Sequence, residues 1–306
     1  MTEFQTGIKE LKSHLSDVPM REREPLRDHT SFRIGGRAAL MLLPRTCGEL
    51  ERAALECRRV GVEPLILGRG TNLLVEEGDL DLVVLKTNGG PEGIRLAGEN
   101  EIEAESGALL SRVANFALEQ GLTGFEFAHG IPGSIGGAAV MNAGAYGGEM
   151  KDVIVRTEAL APDGRRFTLE GAAHGFGYRR SAFREGDLIL RSVIRLQPGD
   201  PAAIRGRMEE LMAKRRASQP LNMPSAGSTF KRPVGGYAAA LIDEAGLKGY
   251  RVGGAMVSEK HAGFVVNAGG ASFDDVIALM DHVRETVYRR SGITLEPEVR
   301  IIRGGK

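Results

Sequence analysis

A glycine-rich segment at residues 130–149, GIPGSIGGAAVMNAGAYGGE, constrains what this chain can fold into more than any other stretch. It contains seven glycines and four alanines, and its AAVM part is uncharged and predicted to be buried. Side chains this small let a backbone approach a bulky partner, and glycine permits positive φ without steric cost. Free N–H groups in such loops bind anions. Because flexible linkers are polar and serine-rich, we interpret the segment as a buried loop that cradles a ligand, and not as a linker.

The overall composition is that of a soluble globular enzyme. The 306 residues are enough for two or three domains. The 40 basic and 40 acidic residues balance and Trp is missing, so neither charge nor base stacking indicates a nucleic-acid partner. No apolar run approaches the roughly 18 residues that span a bilayer, and the N-terminus lacks the apolar core of a signal peptide. We therefore expect a cytoplasmic monomer with no nucleic-acid or membrane partner.

Cysteine and histidine usage predicts neither disulfides nor a metal site. Cys47 and Cys57 form no CxxC pair, and the six histidines show no ligand spacing. We expect two free thiols and no bound metal.

Hydrophobic periodicity predicts helices and strands that alternate along the chain. The predicted helices cover residues 3–15, 48–60, 109–120, 201–216, 237–246 and 274–291. The predicted strands include AALMLLP, PLILGRGTNLLV, DLVVLKT, IEAES, VIVRTEAL, DLILRSVIRL, GFVVN and LEPEVRII. Near the N-terminus, the order strand, helix, strand and glycine-rich turn is typical of a phosphate-binding α/β unit. No GxGxxG motif opens a helix, which excludes a Rossmann fingerprint.

Three further segments carry candidate chemistry. The turn Tyr178–Ser181 (YRRS) suits capture of a carboxylate by arginine, although a solvated surface arginine fits the same pattern. The segment Ser225–Pro233 (SAGSTFKRP) places a hydroxyl in a glycine turn beside two cations, or is an ordinary Ser/Thr turn. Alternation in the last strand places two sets of side chains on opposite faces: Leu295, Pro297, Val299 and Ile301 on one, and Glu296, Glu298 and Arg300 on the other. A carboxylate there is a general acid or base, or an exposed charge paired with Arg300.

Taken together, six segments resemble the UDP-N-acetylenolpyruvoylglucosamine reductase family of flavoenzymes in bacterial peptidoglycan synthesis. They are TSFRIGG, LGRGTNLLV, the glycine-rich segment, FGYRRSAF, AGSTFKRP and LEPEVRII, in the family's order and with compatible spacing from about Thr30 to Ile302. The short span between the last two segments is similar to the family's smaller form, which lacks an inserted tyrosine segment.

The resemblance implies an α+β architecture with three parts. An FAD-binding fold of the vanillyl-alcohol-oxidase type would comprise one α/β subdomain at residues 1–87 and 292–306 and a second at 88–198. An α+β substrate-binding domain would occupy residues 199–291.

The resemblance also implies the reaction. NADPH reduces non-covalently bound FAD, and flavin N5 then delivers a hydride to the enol ether of UDP-N-acetylglucosamine enolpyruvate, which gives UDP-N-acetylmuramate. Carried over motif by motif, Ser228 donates the proton, while Arg179 and Glu298 hold the substrate carboxylate and stabilise the enolate. We expect Glu298 to be protonated or hydrogen-bonded to a donor, because an ionised carboxylate would repel that charge. Tyr178 and Lys231 are the expected contacts to the sugar and diphosphate of the substrate.

The FAD contacts implied by the resemblance lie in two loops. The first loop contributes Gly68, Arg69, Gly70, Thr71, Asn72 and Leu73, and the glycine-rich segment contributes Gly130, Ile131, Pro132, Gly133, Ser134, Gly136, Gly137, Asn142, Ala143 and Gly144. Two residues depart from the family pattern. Arg69 stands where a glycine is more common, and Arg232 stands where longer members have asparagine.

Two other functions fit parts of the sequence. One is an oxidase of the same fold that attaches FAD covalently, for which only His29 and His129 lie near the glycine loops. The other is a non-catalytic nucleotide-sugar-binding protein, which predicts loss of the catalytic residues. Arg179, Ser228 and Glu298 are all present.

Overall fold

The computed structural model of this chain describes residues Thr2–Gly304. The α-helices of this part are α1 Glu3–His14, α2 Cys47–Arg59, α3 Leu110–Glu119, α4 Ile135–Met141, α5 Pro201–Ser218, α6 Ala238–Glu244 and α7 Phe273–Ser291. Its strands are β1 Met20–Pro25, β2 Arg37–Leu42, β3 Leu65–Leu67, β4 Leu73–Val75, β5 Asp79–Lys86, β6 Ile94–Gly98, β7 Glu101–Glu105, β8 Leu122–Thr123, β9 Gly144–Ala145, β10 Gly148–Glu149, β11 Ile154–Leu160, β12 Arg166–Glu170, β13 Leu188–Arg195, β14 Gln197–Pro198, β15 Arg251–Val252, β16 Ala255–Val257, β17 Val265–Asn267 and β18 Arg300–Ile302.

Two larger sheets account for most of the strand pairing. A four-stranded sheet has the order β1-β2-β5-β3, in which β3 and β5 run parallel with Leu67 opposite Lys86. A five-stranded sheet has the order β12-β11-β13-β7-β6, and its strands are antiparallel. Smaller sheets pair β15-β16-β17 and, in parallel, β18 with β4.

The chain divides into two compact units. The first runs up to Glu22 and then comprises Leu40–Arg69 and Leu82–Lys214. The second comprises Arg23–Ala39, Gly70–Asp81 and the chain from Arg215 onward. The division between the units falls within helix α5, beyond the boundary that the sequence places at residues 198–199. The three-part domain scheme stays a prediction.

The first unit has two apolar cores. In one, helices α3 and α4 pack on strands of the five-stranded sheet through side chains such as Val113, Ile135 and Ile194, all fully buried. In the other, α1 and α2 pack on β2 and β5 through Leu11, Leu50 and others. Helix α4, which carries much of the glycine-rich segment, is therefore a core element of this unit.

The second unit is built around helix α7, whose buried face includes Val276, Val283 and Val287. Phe230 and Val299 belong to the same core. Both flank predicted catalytic positions, so the core fixes the backbone at Ser228 and Glu298.

Most helix predictions are confirmed to within two or three residues, because the helices carry local end signals. A capping box begins α7, with Ser272 accepting a hydrogen bond from the N–H of Asp275, and Gly292 ends the helix in a left-handed conformation. Gly61 and Gly121 follow the ends of α2 and α3 with positive φ.

Two predictions of local structure are wrong. The glycine-rich segment is not an irregular loop throughout, because Ile135–Met141 forms α4, whose packing in the core outweighs the low helix propensity of glycine. The last strand is shorter than residues 295–302, since Pro297 has no N–H for a ladder and only Arg300–Ile302 pairs with β4. Ile301 in this strand is 38% exposed, because a two-stranded sheet leaves a face open.

The cysteine prediction is confirmed, since Cys47 and Cys57 are free thiols. Burial raises the pKa of each to about 12, so neither is a reactive thiolate near neutral pH. Within Thr2–Gly304, none of the helices combines the length and the apolar character that crossing a bilayer requires.

Candidate active site

The first glycine loop and the glycine-rich segment pack closely in the first unit. A Cβ atom built on Gly68 would lie 2.6 Å from the Oγ of Ser134 and 3.7 Å from the Oγ1 of Thr87. Ser134 is itself buried. Two predicted FAD contacts, Gly68 and Ser134, are thus brought together.

Helix α4 has one packed face and one open face. A Cβ atom on Gly136 would lie 2.6 Å from the Oγ of Ser106, whereas a Cβ atom on Gly137 would meet nothing within 4 Å. Gly137 is exposed. Among the glycines of the segment only Gly147 has positive φ, so these residues provide space and not unusual backbone angles. At Gly137 the bare backbone is open to a ligand.

A lysine that the sequence analysis did not single out lies beside the first loop. The Nζ of Lys86, at the end of β5, donates to the carbonyl of Gly68 at 3.0 Å. Burial, followed by the positive charge of Arg69, lowers the pKa of Lys86 to about 8. No carboxylate pairs with this ammonium among residues Thr2–Gly304. Alternation along β5 gave no signal for it, because lysines at strand ends are usually solvated.

The turn that carries Arg179 also belongs to the first unit. Gly177 and Arg180 exchange backbone hydrogen bonds of 3.0 and 3.2 Å, which leaves Tyr178 and Arg179 at the tip. Arg179 has φ +54°, a left-handed conformation that costs about 1–2 kcal/mol for a residue with a Cβ. Its guanidinium lies 5.3 Å from the ring centre of Tyr178. A strained residue at a loop tip is a feature of functional sites.

The second half of the first loop lies in the second unit. Gly70 has φ +62°, and a Cβ there would lie 2.2 Å from the carbonyl oxygen of His29, so only glycine fits. The side-chain Nδ2 of Asn72 donates to the backbone carbonyl of Glu298 at 3.1 Å, and the backbone carbonyl of Asn72 accepts from the N–H of Arg300 at 3.0 Å. Asn72 therefore joins this loop to the segment that carries Glu298.

Ser228 and Glu298 lie on two adjacent extended segments of the second unit. Glu298 donates its N–H to the carbonyl of Thr229, and Lys231 donates to that of Glu296, both at 2.8 Å. The Thr229 hydroxyl is buried and accepts a hydrogen bond from the N–H of Val265 at 2.9 Å. The antiparallel pairing brings two of the three predicted catalytic residues together.

The Ser228 hydroxyl differs from that of its neighbour. No hydrogen bond to it occurs within the part of the chain that the structure describes, and the side chain is half-buried. Gly227, just before it, has φ +78°, which bends the backbone as glycine allows. Of these two neighbouring hydroxyls, that of Ser228 is therefore the one without a hydrogen bond among residues Thr2–Gly304.

Other predicted substrate residues are more exposed. The Nζ of Lys231 lies 3.3 Å from a carboxylate oxygen of Glu296, and both side chains are largely solvated. Such a pair contributes little to stability, so Lys231 is available to a ligand at low cost. The guanidinium of Arg232 lies 4.5 Å from the ring centre of Tyr237.

Comparison with known proteins identifies the family of this chain. The model of the C-terminal domain of UDP-N-acetylenolpyruvoylglucosamine reductase matches residues 219–302, and that of an FAD-binding domain matches residues 38–170. The reductase of Caldanaerobacter subterraneus subsp. tengcongensis is 46% identical over 96% of this chain and 97% of its own length. The chain belongs to the UDP-N-acetylenolpyruvoylglucosamine reductase family. The reductase of Thermotoga maritima is also 46% identical, over 92% of this chain and 99% of its own.

A solved structure agrees with this assignment. The crystal structure of the reductase from Thermus caldophilus has a TM-score of 0.80 and 35% identity, and the match covers 93% of this chain and 98% of that one. The predicted fold class and FAD as cofactor are confirmed by these matches. The protein is an FAD-containing oxidoreductase of this family.

The residues present fit FAD. Gly137 leaves its backbone open to a ligand, Gly68 packs against Ser134 with no room for a Cβ, and Lys86 provides a half-buried cation that has no carboxylate partner within Thr2–Gly304. A diphosphate suits such a cation. In contrast, the side chain of Asn142 is hydrogen-bonded within the protein, to Glu149, Gly177 and Lys151.

Proposed function

We propose that this protein reduces the enol ether of UDP-N-acetylglucosamine enolpyruvate to UDP-N-acetylmuramate with electrons from NADPH. The family assignment and the unengaged hydroxyl of Ser228 beside the Glu298 segment support this function most directly. When bound and reduced, FAD supplies the hydride. We further propose that the protein acts as a monomer in the cytoplasm, with this small molecule as its partner.

Ser228 is the proposed proton donor. Addition of a hydride to the methylene carbon of the enol ether places negative charge on the adjacent carbon and its carboxylate. The Ser228 O–H transfers its proton to that carbon, and the resulting alkoxide is reprotonated from water. Serine is a weak acid in water, but the carbanion is a much stronger base. Ser228 suits the role because it is half-buried on the segment that pairs with that of Glu298, whereas the neighbouring Thr229 is buried and accepts from the N–H of Val265.

Arg179 and Glu298 are the proposed partners of the substrate carboxylate. A guanidinium held at the tip of a turn stabilises charge that develops on an enolate, because its geometry is set before the reaction. Glu298 is half-buried, and its backbone is fixed by Thr229 and Asn72. We propose that its carboxyl donates a hydrogen bond and does not repel the enolate.

The other proposed contacts follow the two loops. Backbone groups from Gly68 to Leu73 and from Gly130 to Gly144 would hold FAD, with Lys86 at its diphosphate. Tyr178 and Lys231 would contact the sugar and the diphosphate of the substrate. For Asn142 we propose a different role below.

The open backbone of Gly137 gives a first test of the FAD site. Gly137→Leu places a side chain where nothing lies within 4 Å, so we expect the apoprotein to fold with equal or greater stability. Overlap with the cofactor should weaken FAD binding by about 1–3 kcal/mol, which is about 5- to 150-fold in Kd. Titration of the apoprotein with FAD measures this. An unchanged Kd for FAD would show that the cofactor does not contact α4 at Gly137.

Lys86 gives a second test. Removal of a charge-assisted hydrogen bond to a phosphate should raise the Kd for FAD by about 10- to 150-fold in Lys86→Met, while Lys86→Arg should retain most of the affinity. FAD titrations at pH 7 measure both. Equal affinity of wild type and Lys86→Met would show that the ammonium does not contact the cofactor.

The same lysine predicts a pH dependence. Its pKa of about 8 means that the free protein carries the ammonium below that pH and loses it above. FAD would bind the charged form, so binding above pH 8 requires uptake of a proton, and affinity falls as pH rises. We expect the Kd of the wild type to rise about tenfold from pH 7 to pH 9. In Lys86→Met this dependence should disappear, and an identical slope in both proteins would contradict the assignment.

The reaction itself is tested anaerobically. Reduction of the purified holoprotein by NADPH should bleach the flavin absorbance, and addition of the enolpyruvyl substrate should restore it. Recovery with oxygen but not with the enol ether would favour the oxidase function. Release of FAD on acid denaturation would confirm non-covalent attachment, since a bond to His29 or His129 would retain it.

A further inference from the structure

We propose that Asn142 positions Arg179 and does not bind FAD, a role that rests on the proposed part of Arg179 in the reaction. The side chain of Asn142 is 1% exposed. Its Nδ2 donates to Glu149 Oε2 at 2.8 Å and to the Gly177 carbonyl at 3.1 Å, and its Oδ1 accepts from the N–H of Lys151 at 2.9 Å. An amide has two N–H donors, so both are used within the protein.

These contacts join three pieces of chain. Asn142 ends helix α4 in a left-handed conformation, with φ +42°. Gly177, which accepts one of its hydrogen bonds, opens the turn that holds Arg179. After the turn, the Ser181 hydroxyl donates to the Val140 carbonyl at 2.8 Å. The turn is therefore tied to the end of α4 on both sides of Arg179.

Charge near the turn supports the same role. The hydrogen bond from Lys151, a further one from Asn142 and the positive charge of Arg179 lower the pKa of the Glu149 carboxyl. Glu149 is thus an anion near neutral pH, and it is held by Asn142. The carboxylate attracts the Arg179 guanidinium toward the end of α4, which reduces the freedom of a long side chain on an exposed turn.

The variant Asn142→Gly tests the side-chain amide of Asn142 separately from its backbone conformation. Glycine keeps the left-handed backbone without strain, so the helix end should persist while three hydrogen bonds are lost. We expect kcat to fall by about 100-fold, as for a catalytic group displaced by about 1 Å, with the Kd for FAD unchanged. A raised Kd for FAD with an unchanged kcat would overturn the proposal.

A double-mutant cycle separates positioning from general damage to the fold. If Asn142 acts through Arg179, then Asn142→Gly should cause no further loss of kcat in an Arg179→Ala background. A structural defect that affects the enzyme as a whole would lower kcat by the same factor in both backgrounds. That additive result would contradict the proposal.

A third measurement, the rate of proteolysis, does not depend on catalytic activity. Trypsin cleaves after arginine, so the rate of cut at Arg179 and Arg180 reports how firmly the turn is held. We expect this cut to be faster in Asn142→Gly than in the wild type, with other cleavage sites unaffected. An unchanged rate would show that Asn142 does not hold the turn. Faster cleavage in a protein that fails to reduce the enol ether would contradict the proposed function and leave the tie to the turn intact.

Discussion

Replacement of Ser228 by alanine should lower kcat for reduction of the enolpyruvyl substrate by about 10²- to 10⁴-fold, the usual contribution of a positioned general acid. The loss is expected in the step that consumes the substrate, because the proton is needed only there. Bleaching of the flavin by NADPH should proceed at the wild-type rate. Stopped-flow absorbance of the two half-reactions distinguishes these effects.

The structure predicts that this variant folds normally. The Ser228 hydroxyl makes no hydrogen bond within Thr2–Gly304, so its removal leaves no partner unsatisfied and should change the free energy of unfolding by less than about 0.5 kcal/mol. By comparison, Thr229→Val removes the acceptor for the N–H of Val265 and should cost about 1–3 kcal/mol. Thermal or urea unfolding of both variants checks this contrast.

Two controls sharpen the assignment. Ser225→Ala removes a half-buried hydroxyl from the same segment and should leave both half-reactions unchanged. Ser228→Cys restores an acidic proton at the same position and should recover part of the lost rate. If Ser228→Ala turns over as fast as the wild type, the proton comes from another donor and the assignment fails.

The sequence predicted best what local rules decide. The ends of α7 follow from Ser272, Asp275 and Gly292, which act within a few residues of each other. Contacts between segments that are far apart in the sequence were harder to predict. Periodicity alone does not indicate that Glu298 lies beside Thr229, because a β-bridge joins segments that are far apart in sequence. The resemblance to the family supplied that connection.

The sequence predicted least well where packing outweighs propensity. The glycines of α4 favoured a loop, yet the apolar residues Ile135, Ala138 and Ala139 bury a helical face. Asn142 was a cofactor candidate because of its place in the segment, and its contacts to Gly177 and Glu149 become visible only in the folded structure. A helix-ending signal was nevertheless present, since asparagine tolerates the left-handed conformation better than most residues.

Replacement of Arg179 by glycine should separate stability from activity. Arg179 has φ +54°, so glycine relieves a cost of about 1–2 kcal/mol and the free energy of unfolding should stay equal or rise. Without the guanidinium, the enolate loses a preorganised partner, and kcat should fall by about 10²- to 10³-fold. Denaturant unfolding and steady-state turnover, measured on the same preparation, test both halves of the prediction.

The neighbouring arginine provides the matched control. Arg180 lies in the same turn and is exposed, so Arg180→Ala removes the same charge one residue away and should leave kcat within about twofold of the wild type, as expected for a group that makes no transition-state contact. Arg179→Lys retains the charge without the two parallel donors and should recover only part of the activity. A stable, inactive Arg179→Gly beside an active Arg180→Ala would mean that the strained turn is kept for chemistry, since glycine is the better residue for its fold. If Arg180→Ala were the inactive variant, the carboxylate contact would belong to Arg180, and the strain at Arg179 would need another cause.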